Sequence, residues 1–96
     1  MRGATRRTVN RMEPAAEHDI ARLAASLTDL AYKHGLSGLR VAGDGVLIAD
    51  VASGRTLLDV ARFELEAEAV LQAVVSVISS RSEYAARAES RPLVTG

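Results

Sequence analysis

The sequence lacks cysteine altogether. This excludes disulfide bonds, thiolate metal sites and cysteine nucleophiles. The only imidazoles are those of His18 and His34, near the two ends of one predicted helix, which is not a spacing that metal ligands use. No apolar run approaches the roughly 18 residues that a membrane-spanning helix needs. We therefore expect neither a metal site built on these side chains nor a membrane partner.

Net charge is also missing, because the formal charge of the chain is zero at pH 7. No overall field attracts nucleic acid, which is not an expected partner. The charge is nevertheless uneven, and we interpret residues 1–12 as a flexible basic N-terminal tail. The arginines that precede the first acid, Glu13, are Arg2, Arg6, Arg7 and Arg11. Since no apolar segment follows them as in a signal peptide, we expect a cytoplasmic protein.

What the sequence does contain is enough for one small domain of ordinary composition, since it has 96 residues, of which 48% are hydrophobic and 25% charged. We assign residues 13–90 to this domain and residues 91–96 to a C-terminal tail. A chain of this size buries only a modest core, so association with a partner or with itself is expected.

Two long helices are predicted. Apolar residues recur with helical spacing between Ile20 and Ala31, and Gly35 ends the pattern, so the first helix should run from Pro14 to His34. The second should run from Thr56, a good N-cap, to about Leu71. Its predicted apolar face consists of Leu58, Ala61, Leu65 and Ala69. A last short helix is expected after Ser82.

Branched aliphatic residues bounded by glycines predict strands at LRVA (39–42) and VLIADV (46–51). The short connection requires an antiparallel hairpin turning at Asp44-Gly45. The second run is apolar on both faces, which predicts a central strand. Residues 73–79 predict a third strand, with continuation of the preceding helix as the alternative. The expected fold is α+β, with a small mixed or antiparallel three-stranded sheet packed against two main helices.

Two segments carry a family resemblance, HGLSGLRV (34–41) and SGRTLLDVARFELE (53–66). In their order along the chain they resemble the minimal nucleotidyltransferases, the small partners of HEPN proteins in prokaryotic toxin–antitoxin pairs. The resemblance extends over roughly residues 20–82. It implies a nucleotidyltransferase-like fold from which the phosphate-turn segment has been lost, because only Gly43-Asp44-Gly45 stands where the family has about a dozen residues.

The resemblance also implies a degenerate catalytic site. Nucleotidyl transfer uses carboxylates that hold divalent metal ions. Asp44 falls at the position of the family's first carboxylate, Val46 at the second and Ser76 at the third. Valine cannot bind a metal and serine is a poor neutral ligand, so we expect no cofactor. The alternative is residual binding of Mg²⁺ and ATP. Asp44 can equally be explained by the preference of Asp-Gly for tight turns.

A few other residues remain weak candidates for a nucleotide site. Asp50 is the second available carboxylate, with a solvated or capping role as the alternative. Gly43, Gly45 and Arg40 could meet a phosphate, with turn and strand-edge roles as the alternatives.

The favoured function is a protein-binding, antitoxin-like module that docks on a HEPN-type toxin or on itself as a homo-oligomer. Its candidate interface is acidic and consists of Glu64, Glu66 and Glu68, unless these residues simply form a solvated helix face. One alternative is an active nucleotidyltransferase that transfers AMP to a partner protein, with Asp44 and Asp50 as the metal pair. A second is a small DNA-binding regulator that uses its terminal arginines, among them Arg81, Arg87 and Arg91.

Overall fold

A computed structural model describes residues 13–93 of the chain. The expected N-terminal tail and residues 94–96 of the expected C-terminal tail lie outside this range. In chain order the elements are α1 (Glu17–Arg22), α2 (Ala24–Lys33), β1 (Leu36–Gly43), β2 (Val46–Val51), α3 (Leu57–Leu71), β3 (Ser76–Ser79), α4 (Glu83–Arg87) and β4 (Arg91–Pro92). The predicted α+β class is confirmed.

The strands form one mixed sheet in the order β3-β2-β1-β4. β1 pairs antiparallel with both β2 and β4, whereas β2 and β3 are parallel. The sheet therefore has four strands where the sequence predicted three. The added strand is β4, which pairs Arg91 with Val41 and Pro92 with Arg40. Two residues are too few to show an alternating pattern, so the sequence predicts a C-terminal tail here and no strand.

The predicted hairpin is confirmed, with its turn at Asp44-Gly45. β2 is central, and its successive residues Leu47, Ile48 and Ala49 are all buried. Successive strand residues point to opposite faces, so both faces of β2 are covered. β1 begins at Leu36, earlier than the predicted start at Leu39. The first residues of the strand were not predicted, because an irregularity in the register near Gly38 interrupts the regular strand pattern.

The N-terminal helix differs from the single helix predicted over Pro14–His34. It starts later, because the backbone of Glu13–Ala15 is bonded to Val74: Ala15 N donates to Val74 O at 2.9 Å, and Val74 N donates to Glu13 O at 2.7 Å. A kink at Leu23, where φ is −103°, separates α1 from α2. The helical hydrogen bond from Leu23 N to Asp19 O persists through the kink.

The predicted cap of α3 is confirmed as a capping box. Thr56 Oγ1 accepts from Leu58 N at 3.2 Å, and Asp59 Oδ2 accepts from Thr56 N at 3.0 Å. The hydrogen bond from Thr56 N lowers the pKa of Asp59 below its usual value, and the nearby Arg55 guanidinium lowers it further. Both effects favour the charged form that closes the cap.

The face on which α3 packs is not the apolar face that the sequence predicts. Phe63 and Ala67 are fully buried, with Val60 and Leu71 packed beside them. The predicted apolar face is exposed, and its residues are Leu58, Ala61, Leu65 and Ala69. Both sets have helical spacing, so periodicity did not distinguish them. Burial of the Phe63 ring removes a large apolar surface from water.

The region after α3 is a strand and not a continued helix. Gln72 ends α3 in a left-handed conformation with φ of 55°. The regular strand is shorter than predicted and covers Ser76–Ser79, while Val74 forms an isolated bridge to Pro14. Ser82 caps α4 as predicted, since its Oγ accepts from Ala85 N at 3.1 Å.

The core lies between the helices and one face of the sheet. Its largest fully buried side chains are Phe63, Ile20, Leu27, Leu36 and Leu47. The first residue of β1, Leu36, therefore contributes directly to this core. Within residues 13–93, no helix has the length and apolar character needed to cross a membrane.

Candidate functional site

The three positions that the family resemblance assigns to carboxylates meet at one end of the sheet. Asp44 lies in the turn between β1 and β2, and Val46 opens β2. Val46 is the direct register partner of Ser76 on β3. Ser76 N also donates to Gly45 O at 2.7 Å, which ties β3 to the turn. These adjoining positions hold one carboxylate, one apolar side chain and one hydroxyl.

Asp44 has a structural task at this end of the sheet. Its Oδ1 accepts a hydrogen bond from Glu17 N, the first backbone amide of α1, at 2.9 Å. The residue at the usual capping position is Ala16, whose side chain accepts no hydrogen bond. Asp44 therefore caps α1 from a distant part of the chain, where a carboxylate also suits the positive end of the helix. Sequence reasoning could not find this cap, because the two partners are 27 residues apart.

Asp50 lies at the other end of the hairpin, four residues beyond Val46 and therefore roughly 13 Å from it along the strand. Its Oδ1 accepts from the hydroxyl of Ser80, just after β3. A Cβ at Gly38 would lie 2.6 Å from Asp50 Oδ2, so this exposed carboxylate lies close against the irregular part of β1. The structure thus separates Asp44 from Asp50.

The two glycines of the turn have different surroundings. Gly45 is buried, and a Cβ there would lie 2.8 Å from Pro14 Cβ, with φ at +71°. Gly43 has nothing within 4 Å of such a Cβ. Gly45 therefore permits the Pro14 segment to approach the sheet closely, which is a packing role.

The guanidinium of Arg40 is also used within the chain. Its Nε donates to Ser90 Oγ at 2.7 Å and its Nη2 donates to Ser90 O at 2.9 Å. These bonds hold the residue before β4 against β1. Arg40 thereby fixes the added strand of the sheet.

Glu64 and Glu68, two of the predicted interface residues, hydrogen-bond to the free edge of β3. Glu64 Oε2 accepts from Val77 N at 2.7 Å, and Glu68 Oε2 accepts from Val75 N at 3.0 Å. These two N–H groups point away from β2, because the intervening Ser76 N donates to Gly45 O. The two carboxylates therefore occupy the donors that an edge strand would otherwise offer to another chain.

Glu66, the third predicted interface residue, joins α3 to the end of α2. Its Oε2 lies 3.1 Å from His34 Nε2, and its Oε1 lies 3.9 Å from Lys33 Nζ. The His34 side chain is only 14% exposed. All three predicted acidic interface residues are thus half-buried and bonded within the chain.

Possible metal ligands are dispersed over the described residues, and a surface cleft lies apart from the two candidate aspartates. Within the range 13–93, no three histidine, aspartate or glutamate side chains come together as a metal-binding group. A cleft of about 820 Å³ lies between α1, β1 and α4, with Tyr84 on one wall and the Glu17–Arg91 ion pair at its rim. It opens widely to solvent, and neither Asp44 nor Asp50 lines it.

The surface feature that stands out is the outward side of α3. We call Leu58, Ala61, Leu65 and Ala69 the outer stripe. Leu58 is 58% exposed and Leu65 is 67% exposed, and the neighbouring Leu57 is 85% exposed. At about 100° per residue, Leu65 lies almost directly opposite Phe63 and Ala67 around the helix. Sequence reasoning identified the outer stripe as an apolar face but did not identify the face of α3 that packs on the core.

In comparisons with known proteins, no family model, no curated protein and no solved structure matches this chain.

Proposed function

We propose that this chain is a protein-binding, antitoxin-like module built on a degenerate nucleotidyltransferase-like scaffold. In this proposal it acts by docking, on a HEPN-type toxin or on a second copy of itself, and it performs no nucleotidyl transfer.

The state of the candidate carboxylates supports loss of catalysis. A metal-dependent transferase needs several free carboxylate oxygens directed at one point. Asp44 caps α1, and Asp50 accepts a hydrogen bond from Ser80 at the opposite end of the hairpin. Val46 and Ser76, at the remaining family positions, supply no carboxylate.

The single observation that carries the docking proposal is the outer stripe. Three leucines in or beside it, Leu57, Leu58 and Leu65, are each more than half exposed on one helix. Isolated apolar residues on a surface are common, but a contiguous set on one element usually marks an interaction site. The stripe lies away from the core, so a partner can cover it without unfolding the domain.

The test is binding of the full chain to the product of a neighbouring HEPN-type gene, measured by co-purification and by titration. Leu65→Glu should weaken binding at least tenfold, because it places a charge in the centre of the stripe. Tyr32→Glu is the matched control, since Tyr32 is 81% exposed on α2, outside the stripe. Equal binding by the two variants would refute the stripe as the docking surface.

Calorimetric titration with Mg²⁺ and ATP tests the degenerate site separately. We expect no heat of binding and no transfer of labelled nucleotide to the toxin. Saturable, metal-dependent ATP binding that Asp44→Asn abolishes would overturn the proposal in favour of an enzyme.

A further inference from the structure

We draw no further inference here: the strongest candidate, the outer stripe of exposed apolar side chains on α3, is an unpartnered helix face, and nothing in the described part of the chain shows what covers it.

Discussion

The two sides of α3 differ little in composition but completely in environment. On the inner side Phe63 and Ala67 are fully buried against the sheet and α2. On the outer side Leu58 and Leu65 are more than half exposed. Both sides repeat apolar residues with helical spacing, so the difference arises from what the rest of the chain places beside each side. A helix that is apolar on both sides needs two neighbours, and the described part of this chain supplies one.

The largest expected effect comes from the inner side. Phe63→Ala should lower the free energy of unfolding by about 3–5 kcal/mol, because it opens a cavity in the centre of the core. Leu65→Ala should change the stability of the monomer by less than about 0.5 kcal/mol. Urea denaturation at low protein concentration measures both variants. Similar losses from the two substitutions would contradict the assignment of inner and outer sides.

An intermediate effect is expected on the flank of α3 that lies between its inner and outer sides and carries Glu64 and Glu68. The double variant E64A/E68A should lower the free energy of unfolding by about 1–2 kcal/mol, since water replaces part of the lost hydrogen bonding. It should also increase light scattering on storage, because the β3 edge becomes free to pair. E64Q/E68Q retains acceptor oxygens and is the matched control. Equal scattering by both double variants would contradict the edge-blocking role.

A smaller effect is expected at the N-terminus of α1, where Asp44 caps the helix from a distant part of the chain. Asp44→Ala removes the cap of α1 and should cost about 1 kcal/mol, whereas Asp44→Asn keeps an acceptor and should cost little. Thermal unfolding without metal ions measures both. If Asp44→Ala has no effect there but abolishes metal binding, the capping assignment fails.

The smallest effect is expected at the first turn of α3. The folded-state pKa of Asp59 lies below its ordinary value of 3.8. Its charge therefore stabilises the fold above about pH 4, and this contribution is lost as the pH falls through the folded-state pKa. Asp59→Asn should make Tm less dependent on pH below about pH 4. An unchanged pH profile in that range would show that the capping box contributes no proton-linked stability.

Local features of the fold were predictable from the sequence. The hairpin at Asp44-Gly45, the central position of β2 and the caps at Thr56 and Ser82 depend on residues close together in the chain. The kink at Leu23 and the delayed start of α1 were not predictable. The delayed start of α1 depends on the bonding of Glu13–Ala15 to Val74, which is distant in sequence.

The residues of the candidate site also show the difference between what nearby residues and what distant residues determine. The sequence singled out Asp44, Asp50, Arg40 and the acids of α3 as residues available for a ligand or partner. The structure engages each of them in a contact with a residue 7 to 50 positions away. Hydrogen bonds between residues so far apart in the chain produce no periodic pattern in the sequence. A polar residue that is bonded within the fold therefore cannot be distinguished, from sequence, from one that binds a partner.

The α+β class, most helix and strand positions and the apolar stripe on α3 can be predicted from the amino-acid order. These follow from short-range steric preferences, capping and hydrophobic spacing. The buried side of α3, the pairing of β4 with β1, and the contacts of Glu64 and Glu68 with the β3 edge become visible only in the folded chain. Burial and edge pairing depend on which distant segments meet, and local sequence patterns do not specify those contacts.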